Sequence, residues 1–275
     1  MMQRSGQLKL GIVGCGAIGS RIALSTRKEL KNQFMVSALY DIDAIRATGL
    51  AKKLRARGVV KRSIDELVKG CDIVVECVNT DATADIVEKA LRAKKDILVM
   101  SVGRLLHKSS LFSLAEKNRA SILIPSGAIA GLDAVKAAGL AGTVSVTLTS
   151  RKPPLGFARN VYLKSKGIHL EDITIETVLF DGDVSDAVKY FPHNINVASS
   201  LKLASGPHAE VRVRIIADPH VSRNTHEIVL EGACGRITTK TENTICPDNP
   251  KTSYLAVLSG IQTLKQFFYN VKIGT

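Results

Sequence analysis

The chain has 275 residues, of which 45% are hydrophobic and 4% aromatic, so its core must be built mainly from Val, Ile, Leu and Ala. No apolar run approaches the ~18–20 residues of a membrane span, no secretory signal opens the chain, and the five cysteines form no metal or disulfide motif. The net charge of +13 is spread along the chain, which favours solvated surfaces and steering of an acidic substrate over a nucleic-acid site.

The first part of the chain alternates between apolar strands and helices. Strands are predicted at 8–13, 35–40, 72–78, 97–101 and 121–125. Helices are predicted at 17–31, 43–57, 81–93 and 108–118, and a capping box at Ser63–Glu66 opens a further short helix. This alternation predicts an α/β fold with a doubly wound parallel sheet.

The pattern changes after Ser126. A helix is predicted at 132–138, strands at 144–150, 174–180, 210–217, 227–231 and 236–241, and a hairpin turn at 232–235. Arg212 and Arg214 alternate with apolar residues, which indicates a sheet with one buried and one wet face. We expect a second, α+β domain built on a mixed, largely antiparallel sheet, followed by a helix at 253–268.

A glycine-rich motif, Gly14-Cys15-Gly16-Ala17-Ile18-Gly19, lies between the first strand and the first helix. In this context GxGxxG predicts a Rossmann dinucleotide site. Gly14 permits the tight turn, Gly16 lets the backbone approach the pyrophosphate, and Gly19 lets the helix approach the sheet. The first helical turn, including Ala17 and Ile18, offers free N–H groups to the phosphates.

Asp41 follows the second strand, 22 positions after Gly19. A carboxylate there accepts hydrogen bonds from the adenosine ribose and repels a 2′-phosphate, so NAD is favoured over NADP. The nearby Arg46 leaves some tolerance for NADP, because an arginine can accommodate the 2′-phosphate. An alternative interpretation of Asp41 is that it only caps the next helix. The loops at 78–80 and 101–103 are either walls of the cofactor site or ordinary turns.

Several strings in the second half are uncommon. They are Ser126–Asp133, Arg151–Pro154, Phe191–Ala198, Ala217–Pro219, Asn224–His226 and Asn249–Ser253. Together with the glycine motif, they resemble the L-aspartate dehydrogenase family, in order and over nearly the whole chain. The resemblance implies NAD(P)-dependent oxidative deamination of L-aspartate to oxaloacetate and ammonia through iminoaspartate. It also implies a homodimer and a link to NAD biosynthesis.

By the same resemblance, His226 matches the family's catalytic histidine, and Ala130 and Asn196 match positions assigned to NAD binding. A histidine suits proton transfer because its unperturbed pKa is about 6.5. His193 lies at a position that the family pattern leaves open, and we expect it to be a surface residue.

A dicarboxylate substrate requires cations, and Arg151, Lys152 and Lys251 lie in the family-like strings. We expect Arg151 and Lys251 to bind it, although each could equally be a solvated charge. The reaction requires no metal, and none is predicted.

The predicted organisation is a dinucleotide-binding domain at 1–126 and a catalytic and dimerisation domain at 127–252. The C-terminal helix, about 253–270, is expected to pack back on the first domain, and the predicted location is the cytoplasm. Two alternatives stay open. One is an oxidoreductase like dihydrodipicolinate reductase or homoserine dehydrogenase, since fold analogy does not separate these families. The other is a catalytically silent NAD sensor that binds nucleic acid.

Overall fold

A computed structural model describes residues 6–78, 80–142, 145–158, 160–192, 195–247 and 249–274, without the side chains of residues 249–251. His193 therefore lies outside the described residues. Contacts divide the chain into two compact units. The first contains Met1–Pro125 and Val257–Lys272, and the second contains Ser126–Ala256 and Ile273–Thr275.

The first unit alternates strands with helices along the chain. Its strands are β1 (Leu8–Val13), β2 (Phe34–Tyr40), β3 (Ile73–Glu76), β4 (Asp96–Val99) and β5 (Ile122–Leu123). Its helices are α1 (Ala17–Glu29), α2 (Ala44–Lys53), α3 (Ile64–Lys69), α4 (Thr83–Arg92) and α5 (Ser109–Asn118).

These five strands form one sheet in the order β2-β1-β3-β4-β5, with every pair parallel. Successive side chains point to opposite faces, so Val74 packs in the cluster formed with α3, α4 and α5, whereas Ile73 and Val75 point the other way. The predicted doubly wound parallel sheet is confirmed.

The second unit carries the remaining strands. They are β6 (Ser145–Lys152), β7 (Thr177–Asp183), β8 (Glu210–Ala217), β9 (Asn224–Gly232), β10 (Gly235–Asn243), β11 (Ile245–Cys246) and β12 (Asn249–Ser253). Its helices are α6 (Leu132–Gly139), α7 (Val161–Ser165), α8 (Val184–Tyr190) and α9 (Asn196–Ala204). Helix α10 spans Tyr254–Phe268, and its residues from Val257 onward pack in the first unit, where Phe268 meets Phe34 at a ring-centroid distance of 5.7 Å.

The main sheet of the second unit has the order β10-β9-β6-β8-β7. Only β6 and β8 run parallel, and the other three pairs are antiparallel, so the predicted mixed, largely antiparallel sheet is confirmed. Val213 and Ile215 are buried, whereas Arg212 on the opposite face is exposed and bonds Asp181 at 2.5 Å, as the alternation predicts.

Some predicted boundaries differ from those observed. The helix predicted to reach residue 57 ends at Lys53, because Arg55 adopts a left-handed φ of 48° that cannot continue a helix. Strand β9 begins at Asn224, three residues before the predicted start, so that His226 lies inside the sheet. Five short elements were not expected from the sequence: α7, α8, α9, β11 and β12.

Candidate active site

The turn between β1 and α1 has the geometry that a dinucleotide motif requires. Gly14 adopts a φ of 94°, and a Cβ there would lie 2.7 Å from the Cys77 carbonyl oxygen. A Cβ on Gly19 would lie 1.9 Å from the Gly14 carbonyl oxygen, so no larger residue fits. Both glycines are therefore required by the fold of the loop itself.

Gly16 differs from the other two glycines of the motif. A Cβ built there meets no atom within 4 Å, and its φ of −69° is open to any residue. Because the protein does not need a glycine here, the open space is consistent with a ligand that approaches the backbone closely. Ala17 and Ile18 follow in the first turn of α1, whose N–H groups are available to phosphate oxygens.

Asp41 lies beside this turn. Its Oδ2 accepts a hydrogen bond from the Cys15 N–H at 2.7 Å, and its Oδ1 accepts one from the Asp43 N–H at 2.9 Å. Helix α2 is capped by Asp43 and not by Asp41, since the Asp43 side chain accepts from the Ile45 N–H. Each Asp41 oxygen retains a further lone pair, so the carboxylate can still accept from a ribose hydroxyl.

A buried carboxylate holds the loops that follow β3 and β4. Glu76 is fully buried, and its Oε1 accepts from the Val78 N–H at 2.9 Å and the Thr83 hydroxyl at 3.0 Å. Its Oε2 accepts from the Ser101 N–H at 3.1 Å. These loops lie at the carboxyl ends of parallel strands, the edge at which ligands bind in such sheets.

A second group of polar residues lies at one edge of the other sheet, where β6 and β8 end and β9 begins. His226 on β9 is directly opposite Ser150 on β6, and both are buried. The Ser150 hydroxyl oxygen is 2.9 Å from His226 Nδ1, so the ring orientation is set and Nε2 is left for another partner.

Burial, and to a smaller extent the nearby charge of Lys152, lowers the pKa of His226 to about 3. Burial also lowers the pKa of Lys152 to about 8. This pKa is well below the value of about 6.5 expected from the sequence, because the sequence does not show that this strand position is buried. At neutral pH the imidazole of His226 is uncharged.

The other predicted cations have different surroundings. The Arg151 guanidinium lies 3.1 Å from a Glu176 carboxylate oxygen and 3.6 Å from Asp218, so two protein carboxylates already pair with it. Lys251 lies in β12, and its side chain is outside the described part of the structure. Arg46 pairs with Asp43 at 3.2 Å on the surface.

Asn196, one of the two positions that the family resemblance assigns to NAD binding, is the first residue of α9.

Side chains of β10 hold the loop that contains Ala130. The Thr239 hydroxyl donates to the Ala130 carbonyl oxygen at 3.1 Å, and the Thr241 hydroxyl donates to that of Ala128 at 2.9 Å. The buried Asn243 amide also donates to Ala128, at 3.0 Å. Because Thr241 is paired with His226 across the sheet, this loop is held at the same edge as the histidine.

Glu76 and Ser150 were not expected from the sequence, and Lys152 was only one of three cations in the family-like strings. Glu76 could have been recognised as a candidate, because a charged residue directly after the apolar run Ile73-Val74-Val75 is unusual in a buried strand. Nothing local marks Ser150, since its role depends on a pairing across 76 positions. Among the described residues, no group of three or more His, Cys, Asp or Glu side chains could hold a metal ion, and no helix could span a membrane.

Two family models match the chain. The model described as "Aspartate dehydrogenase, C-terminal" matches residues 133–267. The model described as "Homoserine dehydrogenase, NAD binding domain" matches residues 14–125.

Two relatives that match over their full length are L-aspartate dehydrogenases. The chain is 44% identical over 271 residues to L-aspartate dehydrogenase of Methanosarcina barkeri, covering 98% of this chain and 100% of that protein. It is 45% identical over 272 residues to L-aspartate dehydrogenase of Methanococcus maripaludis, with the same coverage.

Solved structures agree in fold. The structure is similar to that of aspartate dehydrogenase from Thermotoga maritima, with a TM-score of 0.72, 28% identity, and coverage of 98% of this chain and 100% of that one. A homoserine dehydrogenase from Thiobacillus denitrificans has a TM-score of 0.59 at 12% identity, covering 95% of this chain and 74% of that one, which is a likeness of fold alone.

Proposed function

Since the chain belongs to the L-aspartate dehydrogenase family, we propose that it catalyses the NAD(P)-dependent oxidative deamination of L-aspartate to oxaloacetate and ammonia through iminoaspartate. The observation that carries this proposal is the end-to-end match at 42–45% identity to relatives of that name. Two features of the chain support it: a glycine turn with open space at Gly16, and a buried histidine oriented by Ser150.

The cofactor is held by the first unit in this proposal. Gly14, Gly16 and Gly19 shape the turn, and the N–H groups of Ala17 and Ile18 face the pyrophosphate. Asp41 binds the ribose hydroxyls and thereby favours NAD over NADP. Ala130 and Asn196 are further NAD-binding residues in this proposal, as the family resemblance implies.

Bound nicotinamide supplies the chemistry of hydride acceptance from the substrate Cα. The residues of the chain handle protons and charge. His226 Nε2 accepts a proton from the water that adds to the imine carbon, and the same ring returns a proton to the departing nitrogen. For this role the Nδ1–H donates to the Ser150 hydroxyl oxygen, which leaves the Nε2 lone pair for the water.

We also propose roles for the two domains, a location, an oligomeric state and substrate-binding residues. Residues 1–126 bind the dinucleotide, residues 127–252 form the catalytic and dimerisation domain, and the active form is a cytoplasmic homodimer. Arg151 and Lys251 stay candidate substrate-binding residues, although the carboxylates beside Arg151 weaken its case. A contribution to NAD biosynthesis through iminoaspartate follows from the family resemblance.

The proposal is tested by following NADH at 340 nm with L-aspartate, and its consumption with oxaloacetate plus ammonia. L-homoserine is the matched alternative substrate, because residues 14–125 match the NAD-binding domain of homoserine dehydrogenase. We expect turnover of L-aspartate and none of L-homoserine. Turnover of homoserine alone would contradict the proposal, and light scattering of the active enzyme tests the dimer.

A further inference from the structure

Three polar side chains share one face of the second sheet. Ser150 and Lys152 are two residues apart on β6, so they point to the same side. Ser150 pairs in register with His226, and Lys152 ends the strand opposite Ala217, the last residue of β8. An ammonium group and an imidazole therefore lie together at the sheet edge where β6 and β8 end.

These two groups oppose each other electrostatically. The charge of Lys152 disfavours protonation of His226, and burial disfavours the charged form of Lys152 itself. A carboxylate placed beside them would reverse both effects, because an opposite charge within a few ångströms favours the protonated form of each base. The pair is thus complementary to an anion.

Arg151, the neighbouring cation, is placed differently. It points to the opposite face of β6, where Glu176 and Asp218 pair with its guanidinium at 3.1 and 3.6 Å. A substrate carboxylate would have to displace these two protein carboxylates. Lys152, in contrast, is on the face that carries the histidine.

We propose that the Lys152 ammonium binds one carboxylate of the amino-acid substrate beside His226. This inference rests on the proposed function and adds a substrate-binding residue to it. It also gives the dicarboxylate a second role, because its negative charge makes His226 a stronger base once the substrate is bound. Proton transfer is then favoured only in the complex with an anionic substrate.

The test compares Lys152→Met, which removes the charge at similar length, with Lys152→Arg, which keeps it. Lys240→Met is the matched control, since Lys240 is an exposed lysine of β10 paired with Glu242. Loss of a buried cation–carboxylate pair should raise the KM for L-aspartate about 100-fold or more in Lys152→Met. Lys152→Arg should recover part of this loss, and Lys240→Met should behave as the wild type.

A second measurement does not depend on turnover. Succinate, a dicarboxylate with no amino group to oxidise, should raise the Tm of the wild type and of Lys240→Met but not that of Lys152→Met. A KM within threefold of the wild type, or equal stabilisation by succinate, would overturn the inference. If Lys152→Met does not fold, Lys152→Gln takes its place. If the wild type does not oxidise L-aspartate, the proposed function fails, and the succinate comparison still tests the anion site.

Discussion

At the scale of single residues, the three motif glycines serve different purposes, and this difference can be measured. Gly16→Val should abolish NAD binding while leaving Tm nearly unchanged, because a Cβ there meets no protein atom within 4 Å and the side chain occupies the open space. Gly19→Ala should instead lower Tm, since its Cβ would lie 1.9 Å from the Gly14 carbonyl oxygen. Calorimetric titration with NAD and thermal unfolding provide the two readouts. Unchanged NAD affinity in Gly16→Val would remove Gly16 from the site.

His226 is the residue on which catalysis is predicted to depend. His226→Ala should lower kcat about 10²- to 10⁴-fold, the range expected for loss of a general acid–base, with little change in NAD affinity. Ser150→Ala should lower kcat by a smaller factor at nearly constant KM, because it removes only the hydrogen bond that orients the imidazole of His226. Ser150→Thr keeps the hydroxyl and should restore most of the lost kcat. Steady-state kinetics of the three variants provides the check. An inactive His193→Ala beside an active His226→Ala would show that His193, and not His226, is the catalytic histidine.

The burial of His226 also predicts a dependence of stability on pH. Its pKa is about 3 in the folded protein and about 6.5 when unfolded, so between these values the unfolded chain binds one more proton. Stability therefore falls as the pH decreases through this window. His226→Gln should reduce the slope of the unfolding free energy by about 1.2 kcal/mol per pH unit between pH 6 and 4.5. Urea unfolding across this range measures it, and parallel curves for the two proteins would contradict the folded-state pKa.

At the scale of elements, local periodicity predicted most strands but not their partners. Ser150 and His226 meet because β6 pairs with β9 in a register that no local pattern reveals. The short helices α8 and α9 were missed because seven to nine residues among small and polar side chains show little amphipathic period. The glycine turn was predictable in detail, since its demands are local and are written in consecutive residues.

Glu76 links three elements, and its replacement tests how much that link contributes. Glu76→Gln puts an amide NH₂ where a carboxylate oxygen accepted, so at least one of the Val78, Thr83 and Ser101 donors loses its partner. A buried donor without a partner costs ~1–3 kcal/mol, so the variant should be destabilised by about this amount. Glu88→Gln, which removes only an exposed i,i+4 pair with Arg92, should cost less than ~0.5 kcal/mol. Equal urea midpoints for the two variants would show that the Glu76 contacts contribute little.

At the scale of the whole molecule, the net charge of +13 attracts anions, and the substrate and the product of the proposed reaction are both dicarboxylates. The spread of this charge along the sequence favours solvated surfaces and steering of an acidic substrate over a nucleic-acid site. In our proposal the exposed lysines and arginines attract the substrate through a general positive potential, and Lys152 in the second unit binds its carboxylate.

Steering by the whole charge predicts a dependence on ionic strength. The kcat/KM for L-aspartate, measured at saturating NAD, should fall several-fold between ~0.02 and ~0.5 M salt, because the Debye length shortens from roughly 20 Å to below 5 Å. The value of kcat should change little, since the bound substrate is already at Lys152. Replacing Lys52 and Lys53, both exposed in α2, by Glu lowers the net charge by four and should weaken the salt dependence without altering kcat. A kcat/KM that stays constant across this range would assign the positive charge to some purpose other than capture of the anionic substrate.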